Sequence, residues 1–207
     1  MTTCVQWPFM GAAVCYTVAF ALLWGPFKRP ACVSFLVGLA ANGVSAVCRY
    51  ANAWPMLPLY QTPFFLPLLL GVLCVRPMLR QSPGNGLRLF PILYMTFLAL
   101  FFPKDYYLPF VHSITLFAHL FLFFGALGKA CLFMAAAEAA LLLLPLLRSA
   151  AISQAGQSLT NGVMRWIAWG FGSLTFSMFA GEIWSYLGWG SPIVWDDPAV
   201  LSSLSIW

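Results

Sequence analysis

Apolar runs, most of them 15 to 20 residues long, recur along this chain at roughly 6–24, 31–48, 59–75, 89–103, 108–147 and 166–183. About 20 apolar residues in a helix match the thickness of a bilayer's hydrocarbon layer. Water is absent from that layer, so each run must close its own backbone hydrogen bonds, and the helix is the form that does so. A soluble chain of 207 residues has no core large enough to hide six such runs. Only 7% of the residues are charged, against about 25% in soluble domains. The expected fold is therefore all-α: a polytopic transmembrane bundle of about six helices. No internal repeat, low-complexity tract or long linker divides the chain, so residues 1–207 form a single membrane domain.

The ten Lys and Arg residues stand singly or in pairs between the apolar runs. They form no aromatic-interleaved basic run of the kind that binds nucleic acid, so nucleic acid is not an expected partner and membrane lipid is. Lys28 and Arg29 fall in the first connection, Arg76, Arg80 and Arg88 in the third, and Arg148 and Arg165 in the fifth. The even connections carry only Arg49 and Lys104. Since cytoplasmic loops retain basic residues, the N-terminus is expected outside and everything after Trp184 on the outer face of a plasma (inner) membrane. No Lys or Arg precedes the first apolar run, which is therefore expected to remain as a helix rather than be cleaved as a signal peptide. The six cysteines form no CxxC or CxxCH and read as small packing residues.

Two runs are unusual in length. The 15 residues at 89–103 rise about 23 Å as a helix, so this element must borrow residues from Leu87 onward or tilt. The forty at 108–147 would rise about 60 Å, twice the hydrocarbon layer. The expectation is one crossing with a bent or interfacial extension; the alternative is a turn at Gly125, Gly128 and Lys129 with a second crossing. Lys129 and Glu138, nine residues apart, fall on opposite helix faces and should not pair. Gly170, Gly172, Ser173 and Gly181 read as small-residue helix packing.

Nine tryptophans are present, six of them in the last 42 residues. Trp166 and Trp169 fit an interfacial belt. Trp184, Trp189, Trp195 and Trp207 are expected along a non-helical segment at 181–207, where Gly188 and Gly190 allow close backbone approach and Pro192 and Pro198 stiffen the chain. A flat apolar macrocycle needs an aromatic surface of this kind together with an axial ligand for its iron. The segment resembles the WWD loop of the CcsA, CcmC and CcmF haem-handling family, which runs approximately W-G-x-Y-W-x-W-D-P-K-E to a further Trp. Trp189, Gly190, Trp195, Asp196, Pro198 and Trp207 match that run with one extra residue near Asp197, and Gly181 and Trp184 match the G-x-x-W lead-in. Pro192 and Ile193 stand where the family has an aromatic pair, and Ala199 and Val200 where it has Lys-Glu.

The two histidines, His112 and His119, lie seven residues apart in the 108–147 run. On a continuous helix they would share a face, about 10 Å apart along the axis. Ionisable groups inside a membrane are rare and usually functional, and neutral imidazole ligates haem iron. The resemblance implies haem b as the bound group. It aligns His112, one turn inside the outer end of its helix, with the family's iron ligand, and leaves His119 as a further cofactor-binding candidate. It also implies apocytochrome c as the recipient, thioether bonds between the haem vinyl groups and a CxxCH segment of that partner, and a second membrane subunit completing a haem lyase. Two other readings remain: a b-type haem or quinone electron-transfer subunit, and a structural or transport subunit whose tryptophans only anchor it.

Overall fold

The computed structural model describes residues 3–53, 61–82, 84–101, 115–146 and 154–190. Six α-helices and no strands occur among them: α1 (Thr3–Leu23), α2 (Lys28–Ala53), α3 (Gln61–Leu79), α4 (Asn85–Phe101), α5 (Leu116–Leu146) and α6 (Gln154–Trp189). Three contain stretches long and apolar enough to cross a membrane, Val5–Leu23, Lys28–Asn52 and Leu116–Leu143, while α3 and α4 are shorter apolar helices.

Successive helices run in opposite directions. In the first pair, Ser34 Oγ donates to the Cys15 carbonyl and Ser45 Oγ to the Val5 carbonyl, each at 2.8 Å. In the second, Asn85 Nδ2 donates to the Pro77 carbonyl at 3.1 Å, and in the third, Ser177 Oγ donates to the Phe121 carbonyl at 2.7 Å. The contact between α5 and α6 is close because Gly128 faces Gly170. A Cβ on Gly128 would lie 3.0 Å from the Gly170 carbonyl oxygen. Small residues let two backbones approach where lipid gives no hydrophobic drive to associate.

Tyr16, Phe35, Leu66, Leu70, Cys74, Leu89, Ile92 and Met134 form a core shared by α1 to α5. Large apolar residues also cover the outside, including Val14, Val37, Val47, Val72, Phe97, Leu143 and Phe179. A helix apolar on every side belongs in a large core or in lipid, and these exposed apolar side chains are compatible with a membrane setting for the three helices long enough to cross one. Prolines within α1, α3 and α4 (Pro8, Pro67, Pro77 and Pro91) are tolerated in such helices, where neighbouring groups satisfy the carbonyls they release.

Several expectations are corrected. The alternative of a turn at Gly125, Gly128 and Lys129 is set aside, because α5 runs unbroken through all three; its 31 residues span about 47 Å. α4 begins at Asn85, ahead of Leu87, but ends at Phe101, so its 17 residues leave it a shorter apolar helix. Arg88 therefore lies inside α4 and Arg49 inside α2, both buried, rather than in connections. α6 is longer than its apolar run at both ends, so Gly181, Trp184 and Trp189 are helical and not part of a loop. Gly181 does not interrupt the helix because its bare Cα seats the Phe121 ring, 2.8 Å from where a Cβ would stand. Trp166 and Trp169 are thus well inside α6 instead of at its start. Among the expected packing residues, Gly170, Gly181 and the buried Ser173 meet neighbours, whereas a Cβ on Gly172 would touch nothing.

The α3 terminus is a hydrogen-bonded stop. Gln81 N–H donates to the Met78 carbonyl and Ser82 N–H to the Pro77 carbonyl, both at 3.1 Å, the double closure that places the intervening residue in the left-handed region. That residue is Gln81, with φ 50°, where glycine is the usual occupant. Gln81→Gly is expected to stabilise the protein by up to about 1 kcal/mol, read as a higher denaturation midpoint in detergent. A lowered midpoint would show that the glutamine side chain contributes more than its backbone strain costs.

Candidate functional site

The alternation of helices creates two chemically different ends. At one end lie Lys28 and Arg29 in the first turn of α2, Arg76 in the last turn of α3 and Arg80 just beyond it, all exposed. The other end gathers aromatic residues from the starts of α1, α3 and α5 and the ends of α2 and α6.

At this aromatic end, Trp184 of α6 stacks on Phe121 of α5, with centroids 6.0 Å apart and planes 29° apart. α6 closes at Gly190, whose N–H donates to the Tyr186 carbonyl at 2.9 Å and whose φ of 72° turns the chain out of the helix. This is a conformation that suits glycine. Trp189 is the last residue of α6, one position before that exit. His112, Trp195, Asp196 and Trp207 lie outside the described residues.

His119 sits in the first turn of α5. Its Nδ1 is 2.9 Å from the Thr115 carbonyl oxygen. A carbonyl can only accept, so Nδ1 carries the hydrogen and Nε2 the lone pair in the neutral ring. The ring meets Tyr50 of α2 edge-on, with centroids 5.8 Å apart. Phe121, two residues further along, is about 200° away around the helix and faces α6. His119 and Trp184 therefore share an end of the bundle but occupy opposite sides of α5.

Beside Tyr50, Arg49 is only 2% exposed, and its guanidinium carbon lies 3.3 Å from the Phe64 ring centroid. A desolvated cation over an aromatic face is worth about 2 kcal/mol. Phe64 in turn packs on Phe9, linking the starts of α1 and α3.

Near the basic end lies an ion pair. Arg88 donates to Glu138 through Nε at 2.9 Å and a terminal nitrogen at 3.1 Å, and its other terminal nitrogen donates to Asn85 Oδ1 at 3.2 Å. This two-pronged geometry is the strongest form of the arginine–carboxylate contact. Both residues are buried. Lys129, on the far face of α5, is exposed, as the nine-residue spacing required.

The pair was detectable only in outline. Glu138 stands alone in AAAEAALLLL, and a carboxylate in such surroundings needs a cation. Lys129 is excluded by helical phase, but nothing in the sequence selects Arg88 over Arg49. No group of three or more His, Cys, Asp or Glu residues able to hold a metal ion occurs among the described residues.

Fold and site define an all-helical protein with membrane-length helices, a buried interhelical ion pair and two ends of contrasting chemistry. No protein-family model matches the chain, and no curated protein or solved structure shows significant similarity to it.

Proposed function

We propose that the chain is a six-span membrane protein that holds haem b at its aromatic end and presents it to apocytochrome c. In this reading the basic end faces the cytoplasm and the aromatic end faces outward, following the retention of Lys and Arg on the cytoplasmic side. The supporting observation is the antiparallel pairing of α5 and α6. It brings the exit of α6, at Trp184 and Gly190, beside the start of α5, with which the segment containing His112 is contiguous. An aromatic pair already stacked at 6.0 Å suits one face of a porphyrin, which is flat, apolar and polarizable.

In this proposal Trp189, Gly190, Trp195, Asp196 and Trp207 form the cradle and His112 supplies the axial nitrogen. His119 faces α2 across Tyr50, away from Trp184, and serves to fix the start of α5 against α2. Bound haem supplies the vinyl groups that join the recipient's cysteines. The chain contributes orientation and retention of the macrocycle, so no acid or base residue is required of it.

Haem titration of variants in detergent tests these assignments. His112→Ala is expected to abolish the Soret spectrum of histidine-ligated haem, whereas His119→Ala should retain it. Trp195→Ala should weaken binding about tenfold or more, the scale of losing one large buried side chain. Unchanged binding in both His112→Ala and Trp195→Ala would remove the cradle from the account.

The geometry of His119 favours one second reading. With Nδ1–H tied to a backbone carbonyl, Nε2 is set as the ligating nitrogen, the arrangement usual in metal-binding histidines. A b-type haem within the bundle would use it, and loss of the spectrum in His119→Ala but not in His112→Ala would select that reading.

A further inference from the structure

At the basic end the α1–α2 and α3–α4 turns enclose a cleft of about 190 Å³. Lys28, Gln81, Ser82 and Asn85 form its polar wall, with Leu23 and Met78 behind them. Asn85 is held in place, its amide nitrogen on the Pro77 carbonyl and its oxygen on Arg88. The wall is thereby anchored to the buried ion pair and does not depend on a loose loop.

Three observations determine what the cleft suits. Lys28 lines the cleft, and the other exposed charges of this end, Arg29, Arg76 and Arg80, are also positive. The carboxylates among the described residues are Glu138, already held by Arg88 at 2.9 Å, and Glu182, near the opposite end. Trp24, Phe27 and Leu79, the chain neighbours of the lining residues Leu23, Lys28 and Met78, are 80%, 57% and 58% exposed, which supplies apolar surface near a cationic pocket. A soluble anion has no use for that surface, whereas a lipid presents a charged head and apolar chains together. Basic pockets between membrane helices are a recurring form of headgroup recognition.

We propose that this cleft binds the phosphate of an anionic phospholipid, with Lys28 as the charge contact, Gln81, Ser82 and Asn85 as the polar wall, and Trp24, Phe27 and Leu79 against the acyl chains. The proposal depends on the helices lying in a membrane. It is independent of haem, and its failure would leave the aromatic end untouched.

Gly86 allows a pocket to be distinguished from diffuse surface charge. It lines the cleft, and a Cβ there would meet nothing within 4 Å, so a larger side chain enters empty space without altering charge. The test counts phospholipid retained per chain by native mass spectrometry after release from phosphatidylcholine nanodiscs doped with phosphatidylglycerol. The wild-type chain is expected to retain phosphatidylglycerol over phosphatidylcholine. Lys28→Gln should reduce that preference about fivefold, the scale of one basic residue at a membrane surface. Gly86→Leu should reduce it comparably while preserving the circular dichroism and unfolding midpoint. Arg29→Gln, outside the cleft lining, should have a clearly smaller effect.

Equal losses in Lys28→Gln and Arg29→Gln with full retention in Gly86→Leu would overturn the pocket in favour of general surface attraction. Displacement of the lipid by millimolar inorganic phosphate would overturn the lipid as occupant, because phosphate alone would then satisfy the site. If Gly86→Leu does not fold, Lys28→Gln against Arg29→Gln decides the matter.

Discussion

Glu138→Ala is expected to destabilise the protein by about 3–5 kcal/mol, the cost of leaving one member of a buried ion pair without its counter-charge. The side chains of Arg88 and Glu138 are 9% and 10% exposed, so water does little to solvate an orphaned guanidinium. The pair joins α4 to α5 and fixes Asn85, so its loss should loosen the α3–α4 turn as well. Arg88→Met combined with Glu138→Leu removes both charges and fills similar volume. Such replacements are often neutral or stabilising, and the double variant is expected to recover most of the loss. Unfolding midpoints of the purified protein in detergent give both values. A double variant as unstable as Glu138→Ala would show that the pair's geometry, and not an orphaned charge, carries the effect.

The second large effect is expected at the α5–α6 crossing. In Gly128→Leu, the new Cβ would lie 2.6 Å from Leu174 Cγ and 3.0 Å from the Gly170 carbonyl oxygen. Leu174 can change rotamer, but the backbone oxygen can move only with its helix. Overpacking of this kind costs about 1–3 kcal/mol, and the separation should unstack Trp184 from Phe121. Gly172→Leu is the control: it lies on the partner helix α6, two residues from Gly170, and a Cβ there meets nothing within 4 Å. It should stay within about 0.5 kcal/mol of wild type. Equal losses at the two positions would show that added bulk on either helix, and not the close approach at Gly128, carries the effect.

What the sequence revealed depended on whether a feature was local or shared between elements. The six helices follow from run length, a local property, and α1 to α4 lie close to their apolar runs. The helix ends were less legible. α6 continues past Gly181 to Trp189 with Phe121 of another helix filling the space over the glycine, a contact that no pattern within residues 181–190 records. Arg49 and Arg88 looked like loop residues because a basic residue at the edge of an apolar run ordinarily ends it. Each is drawn inside by a partner distant in sequence, Phe64 for Arg49 and Glu138 for Arg88. His119 shows the same division. Its spacing from His112 was visible, but its orientation toward Tyr50 depends on how α2 packs against α5. The stacking of Trp184 on Phe121 likewise required the pairing of α5 with α6, while Trp195, Asp196, Trp207 and His112 remain known from the sequence alone.

The account rests on haem being held at the aromatic end, and optical titration of the wild-type chain with reduced haem b, in detergent, addresses it most directly. A sharp Soret band, distinct from that of haem in empty micelles and saturating at one haem per chain, is the predicted result. A broad band that grows without saturation, matching haem in empty detergent micelles, would contradict the central claim.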